Sequence, residues 1–411
     1  MQTTRIRSFY QADPLGVVAG GIDTFIRGLV KWAPEDLEFS VVGMTTEPDK
    51  RPVGRWTRCS LGRRDFDFFP VFVEHNAGGR SAIPSTLRLC RNVVRYRVDL
   101  MRGFDVLELH RVEPLLLFFG DTRPKNAFFH QDMMHLQSKN TESRWRVLPS
   151  AYFWLENRLI PMLETAFCVR ETGVSTLRKR FPSWAGSVHF VPTWVDVEIF
   201  HPELDAALAD ELRAQMRAEL GLLPSSKLVV TVGRIDITKQ PDLLFDAFAR
   251  IAAAHPELVL VYVGDGALRH GLQGRVASTG FAPRVRFLGL RPQKEIARLL
   301  RSADVFALSS AYEGMPMALL EALGSGLPVV TMDVGEVRKV VNESCGTVVH
   351  EQTAEAFAAG LDRVLRRAPG QAGVGCVQAI DKFTPAKVLA RVYENYRELG
   401  AQQRSGTRSH R

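Results

Sequence analysis

The stretch from Asp304 to Val330 most restricts what this chain can become. It reads as strand, loop, helix, turn and strand. Asp304 to Leu308 is short and apolar, as a strand buried on both faces of a parallel sheet must be. Glu313 and Gly314 form a loop. Pro316 suits the first position of a helix, where its missing N–H costs nothing. Gly324, Ser325 and Gly326 end that helix, Pro328 prevents its continuation, and Val329 and Val330 start the next strand. Two carboxylates bracket the helix start. From Pro316 to Glu321 the axial rise is roughly 7 Å at 1.5 Å per residue, about the span of a ribose and a phosphate. The amides of Gly314, Met315 and the first helical turn share that space, and amides at a helix N-terminus favour anions. Carboxylates that accept hydroxyls, set around amides that accept a phosphate, suit a sugar–diphosphate–nucleoside. On spacing alone, two glutamates around a helix also describe an ordinary solvated face.

The same alternation of strand and helix runs through the chain. Arg5 to Tyr10 reads as a first strand and leads to Gly20 and Gly21, after which Ile22, Phe25, Ile26 and Leu29 follow a helical period. Strands are expected at 37–44, 68–73, 106–109, 127–130 and 167–169, and helices at 85–100, 113–119, 150–163 and 174–181. The second half restarts with strands at 228–232, 258–263 and 285–289 and a helix at 293–300. Such alternation implies parallel sheets covered on both faces, with ligands beyond the carboxyl ends of the strands. His130 ends one strand, with His135 as a nearby competitor. Gly233, Arg234 and Lys239 follow another, and two phosphates need such cations. Gly264 and Gly266 are followed by Arg269 rather than by a third small residue, which argues against a dinucleotide-binding dehydrogenase. A chain of 411 residues is long for one core and suits two domains.

The run from Ser309 to Val330, with Glu-Gly-Met-Pro at its core, resembles the E-x7-E signature of family 4 retaining glycosyltransferases. The Gly233-Arg234 to Lys239-Gln240 segment is similar to that family's diphosphate-binding segment. The run from Val191 to Pro202 resembles its interdomain segment at both ends, with Thr193 and Trp194 where the family has Asn-Gly. Gly20 and Gly21 match its N-terminal glycine loop, although the preceding proline, Pro14, lies further upstream. The resemblance covers the second half nearly throughout and the first half only at these points.

It implies an α/β fold of GT-B type, with two Rossmann-like domains facing across a cleft. Residues 1–192 would bind the acceptor and 193–383 the nucleotide-sugar. Residues 384–400 would form a helix crossing back to the first domain, and 401–411 a disordered tail. It implies catalytic roles for His130, Glu313, Arg234 and Lys239. Donor binding would fall to Gly20, Gly21, Gly233, Arg234, Lys239, Gly314, Met315, Pro316 and Glu321. Glu321 would accept hydrogen bonds from the ribose, Glu313 would orient the transferred sugar, and His130 would meet the sugar near the reacting carbon. The donor would be UDP- or GDP-linked, and the acceptor a glycan, a lipid-linked glycan or a small molecule. With Arg234 and Lys239 as fixed cations at the diphosphate, no metal and no other cofactor is expected. A non-catalytic nucleotide-sugar-binding protein and a GT-B epimerase are the alternatives. A phosphorylase would need a lysine-bound cofactor site, which the sequence lacks.

Charge bounds the partners. The formal net charge is +8, and between Lys50 and Arg102 twelve Lys and Arg face four Asp and Glu, a local excess of eight. That points to an anionic partner. Arg88, Arg91 and Arg95 fall on one helical stripe that suits an anionic membrane surface, and Arg51, Arg55, Arg58, Arg63 and Arg64 extend it. Nucleic acid is not expected, for no binding motif accompanies the charge. Five scattered cysteines without a C-x-x-C pair support neither a disulfide framework nor a zinc site. No run of eighteen apolar residues and no secretory leader is evident. The expected location is the cytoplasm, including the inner face of a membrane.

Overall fold

The computed structural model describes residues 2–16, 21–74, 84–130, 149–367 and 373–406. The chain divides into two compact units, one of Met1–Pro192 with Pro385–Arg411 and the other of Thr193–Thr384. The final helix therefore belongs to the first unit. It runs from Pro385 to Ser405, so the expected tail from 401 begins inside a helix. The apolar period of Val388, Leu389, Val392, Tyr393, Tyr396 and Leu399, all buried, carries it that far.

The first unit is an eight-stranded sheet. In chain order its strands are β1 Thr4–Phe9, β2 Leu37–Thr45, β3 Thr57–Leu61, β4 Arg64–Val73, β5 Val106–Leu109, β6 Lys125–Phe129, β7 Thr165–Cys168 and β8 Val188–Phe190. Their spatial order is β3-β4-β2-β1-β5-β6-β7-β8. All neighbours are parallel except the hairpin of β3 and β4. The hairpin turns at Gly62, whose φ is +61°. That conformation favours glycine. Its first strand, Thr-Arg-Cys-Ser-Leu, is polar and half exposed, which hid it from an apolar-strand reading. The helices are α1 Gly21–Lys31, α2 Ser85–Arg95, α3 Arg97–Leu100, α4 Pro149–Leu159 and α5 Glu171–Arg180. The expected helix over 85–100 is interrupted at Tyr96, whose φ and ψ of −100° and 19° are not helical. The expected helix from 113 is a 3-10 segment, Glu113–Phe118.

The second unit is a six-stranded parallel sheet in the order β11-β10-β9-β12-β13-β14. Its strands are β9 Lys227–Val232, β10 Leu258–Val263, β11 Val285–Gly289, β12 Val305–Leu308, β13 Val329–Met332 and β14 Gly346–Val349. Every residue of β10 and β12 is buried, which explains their unbroken apolar sequences. The helices are α6 Ala206–Glu219, α7 Pro241–Ile251, α8 Arg269–Ala277, α9 Gln293–Ser302, α10 Met317–Gly324, α11 Ala354–Leu365 and α12 Gly373–Ala379. α10 starts one residue later than expected, with Pro316 in extended conformation at its N-cap.

Candidate active site

In the second unit Gly233, Arg234, Lys239 and Glu313, of the predicted site residues, gather at the carboxyl ends of β9 and β12. These are hydrogen-bonded parallel neighbours, with Val230 opposite Phe306, so their following loops start side by side. Asp236 accepts from the amides of Thr238 and Lys239 at 3.0 and 3.2 Å and so folds Ile237–Lys239 into a 3-10 turn. Asp236 also lies 3.0 Å from the Arg234 guanidinium, which is half exposed. Ser309 Oγ donates to the carbonyl of Lys239 at 2.8 Å, and the Ala311 amide to the carbonyl of Thr238 at 2.8 Å. Gly233, Arg234, Lys239, Tyr262, Ser309 and Ser310 line one concavity.

Lys239 and Glu313 meet there. Lys239 Nζ donates to Glu313 Oε1 at 2.5 Å, and Ser310 Oγ donates to the same oxygen at 2.6 Å. The cation expected at the diphosphate and the carboxylate expected at the sugar are thus one ion pair in this structure. The loop behind them is held from two sides. Glu336 N donates to the carbonyl of Gly314 at 3.0 Å, and Thr193 Oγ1 to the carbonyl of Met315 at 3.0 Å. Gly335 makes the first contact feasible. Its φ is +58°, and a Cβ there would stand 2.0 Å from the Gly314 oxygen. Gly264 is equally confined, its would-be Cβ 1.9 Å from the Gly233 oxygen. The Gly-Asp-Gly turn is therefore a backbone crossing, not a dinucleotide fingerprint.

Glu321 lies within α10 and is only 7% exposed. Burial, reinforced by the nearby Asp196, pushes its carboxyl up to about 7. Met315 and Pro316 are buried beside it in sequence. Among the described residues, no group of three His, Cys, Asp or Glu is placed to hold a metal.

In the first unit Gly21 opens α1, whereas Gly20 and His135 lie outside the described residues. The segment before them is anchored by Asp13. Its carboxylate accepts from Thr46 N at 2.8 Å, Thr46 Oγ1 at 2.7 Å and Arg51 at 2.9 Å. Burial alone would raise Asp13, but the hydrogen bonds from Thr46 and Leu15 together with Arg51 hold it below the usual carboxylate range. Arg51 is consequently buried between Asp13 and Glu47 and adds nothing to a basic surface. Arg88 departs from expectation in the same way. It pairs with Glu74 at 2.7 Å, donates to the carbonyl of Val73 and lies over the Phe72 ring. Arg91 and Arg95 are exposed, together with Leu87 and Val94 of α2 and Val98 of α3. The stripe is real only from Arg91 onward, because the turn carrying Arg88 faces β4.

His130 follows β6 and is half buried. Its Nε2 lies 2.9 Å from His110 Nδ1, and His110 Nε2 lies 2.9 Å from Glu108 Oε1. Tyr396 of the final helix donates to Glu108 Oε2. Sequence reading missed Glu108, His110 and Tyr396. The signal was a glutamate inside the apolar strand 106–109 with a histidine two residues on, on the same face of the strand.

Comparison with known proteins reaches this second-unit site directly. The family model for "Glycosyl transferases group 1" matches residues 213–372. These residues are similar to a group 1 glycosyl transferase domain. Among curated relatives, a D-inositol 3-phosphate glycosyltransferase of Segniliparus rotundus is 33% identical over 197 residues, 46% of this chain and 42% of that protein. Spore coat protein SA of Bacillus subtilis is 31% identical over 186 residues, 43% of this chain and 48% of that protein. The chain thus spans about half the length of the curated relatives it matches. Over nearly the whole chain the fold resembles sucrose-phosphate synthase from Thermosynechococcus elongatus, with a TM-score of 0.75 at 21% identity. That match covers 97% of this chain and 99% of the synthase. Anabaena Alr3699/HepE, solved in complex with UDP and glucose, gives 0.69 at 17% identity over 95% and 99%. The fold is GT-B.

Proposed function

We propose that the protein is a retaining, metal-independent glycosyltransferase that moves a sugar from a UDP- or GDP-linked donor to a glycan, lipid-linked or small-molecule acceptor in glycoconjugate synthesis. The observation that carries this reading is the Lys239–Glu313 pair beside Arg234, at the adjoining ends of β9 and β12. A leaving diphosphate needs positive charge already in place, since fixed charge stabilises the transition state without reorganisation. Arg234 and Lys239 supply it where another enzyme would use a metal ion. Diphosphate binding draws Lys239 away from Glu313, which frees that carboxylate to orient the sugar. Glu321 takes the ribose hydroxyls, and His130 meets the sugar near its reacting carbon. The complex of Alr3699/HepE with UDP and glucose supports a nucleotide-sugar donor on this fold. The test is thermal shift against UDP-, GDP- and ADP-sugars, since a bound donor stabilises the fold by mass action. Transfer from the best donor is then measured with and without EDTA. Arg234→Ala and Lys239→Ala are expected to lower turnover on the order of 10²-fold, and EDTA to leave the wild type unaffected. Full activity in both variants, or EDTA inhibition reversed by Mg²⁺, would refute the assignment.

The acceptor side adds a membrane. On α2 and α3 the exposed residues Leu87, Arg91, Val94, Arg95 and Val98 alternate apolar and cationic groups along one face, the composition that seats a helix in an anionic lipid surface. Leu116 and Phe119, at the neighbouring 3-10 segment, are exposed as well. This face brings the enzyme to a lipid-linked acceptor. Among the described residues no helix is long and apolar enough to cross a membrane.

A further inference from the structure

The hydrogen-bonded chain Tyr396–Glu108–His110–His130 spans three elements. Glu108 belongs to β5 and His110 follows two residues on, so both side chains lie on one face, and the final helix reaches Glu108 through Tyr396. His130 stands at the end of the adjacent strand β6, paired with β5 through Leu109 and Ala127. Glu108 is fully buried and His110 nearly so. Both carboxyl oxygens of Glu108 are engaged, Oε1 by His110 and Oε2 by the Tyr396 hydroxyl.

The direction of each proton follows from what the groups can donate. A carboxylate only accepts, so the proton of His110 sits on Nε2. A neutral His110 then offers a lone pair at Nδ1, and the proton between the rings belongs to His130 Nε2. The remaining nitrogen of a neutral His130, Nδ1, is left as an acceptor. We propose that Glu108 and His110 are positioning residues that fix the tautomer of His130, with its proton on Nε2 and its lone pair on Nδ1 for a substrate hydroxyl. The role at the hydroxyl rests on the reading of His130 as a sugar-contacting residue; the tautomer does not.

The surroundings favour the neutral form. Phe25 of α1 meets the His130 ring edge-on at 4.8 Å, and Phe128 and the His110 ring flank it. Burial holds His130 well below the usual histidine range. Other polar groups around the chain include Tyr10, edge-on to His110 at 5.7 Å, Tyr393, which feels the charge of Glu108, and the buried Ser8 and Asn126, which stand opposite Glu108 on the adjacent strands. Tyr396 holds Glu108 from the final helix, so the helix reaches the site through a hydrogen bond rather than through packing alone.

Nitrogen-resolved NMR of the full chain labelled with [15N]histidine decides the matter, with His130 assigned from the signal lost in His130→Gln. In the wild type near neutral pH, His130 is expected to carry its proton on Nε2. Glu108→Met removes the acceptor that His110 Nε2–H has in this structure. An orphaned buried donor is costly, so His110 should move its proton to Nδ1, donate to His130 Nε2 and leave the proton of His130 on Nδ1. Tyr396→Phe keeps the acceptor and should keep the wild-type tautomer. A wild-type His130 protonated on Nδ1 overturns the proposal, even if Glu108→Met fails to fold. So does an unchanged tautomer in a folded Glu108→Met protein. Wild-type protein that transfers sugar from none of the donors tested would refute the proposed function, and the tautomer result would stand apart from it.

Discussion

Glu313 and Lys239 share a single close contact, so neither can be altered without changing the other. Glu313→Gln removes a negative charge beside Lys239 and leaves the ammonium to the diphosphate. Free UDP or GDP is therefore expected to bind the variant at least as tightly as wild type, while transfer falls because the sugar loses its orienting carboxylate. Calorimetry with the free nucleotide, set beside turnover, tests this; weakened nucleotide binding would contradict it. Glu321 makes a separate prediction. Its carboxyl is raised from 4.5 to about 7 by burial and Asp196, so the folded state holds the proton more tightly than the unfolded state. That stability is complete below the unfolded value and is lost as pH rises through the folded one. Glu321→Gln should remove the loss, making the variant more stable than wild type near pH 8 by about 3 kcal/mol at most. The difference should shrink toward pH 5. In the proposed role at the ribose an ionised carboxylate accepts more strongly than the protonated acid, so nucleotide affinity is expected to rise more between pH 6 and 8 in wild type than in the variant. Thermal melts and calorimetry across that range check both.

At the scale of elements, the loop of Glu313 and Gly314 is shaped by a neighbour some twenty residues on. Gly335 has φ of +58° and its backbone passes so close to the Gly314 carbonyl that a Cβ would overlap it. Gly335→Ala must shift one of the two loops, and an alanine in that conformation is itself strained by about 1 kcal/mol. The variant is expected to fold with a lowered Tm and to lose donor-dependent turnover by more than its stability accounts for. Wild-type turnover would show that the loop is not held there. Nothing local in the sequence marks Gly335 as a contact of the Glu-Gly loop, because the two come together through β13 and its following turn. The hairpin of β3 and β4 escaped for a different reason. An antiparallel edge strand needs no continuous apolar run, and its polar sequence carries little period.

For the whole molecule, the surface charge matters through its placement. Of the basic residues between Lys50 and Arg102, Arg51 and Arg88 are turned into ion pairs, whereas Arg91, Arg95, Arg97 and Arg102 are exposed. Each basic group near an anionic bilayer contributes about 1 kcal/mol, so four of them with Leu87, Val94 and Val98 suffice for reversible attachment. The protein should sediment with anionic vesicles at low salt and less so at physiological salt, and not with neutral ones. Arg91→Gln/Arg95→Gln should weaken this about tenfold or more, and Arg88→Gln should not act through lipid binding. Indifference to anionic vesicles at low salt would remove the membrane from the proposal.

The sequence by itself determined the alternation of strand and helix, and with it the two parallel sheets. Buried strands such as Leu258–Val263 need unbroken apolar runs, and their ends place functional residues on one edge. It also supplied the residue types of the candidate site, because glycine turns and cations at strand ends are local features. Only the tertiary structure decided which of them meet. Lys239 and Glu313 are 74 positions apart and touch because β9 and β12 are neighbours, an order that no local pattern carries. Tyr396 and Glu108 are 288 apart and meet because the final helix returns to the first sheet. Arg88 and Arg91 look alike in sequence. One turn of helix faces β4 and the next faces solvent, and that difference in burial separates an internal ion pair from a surface charge.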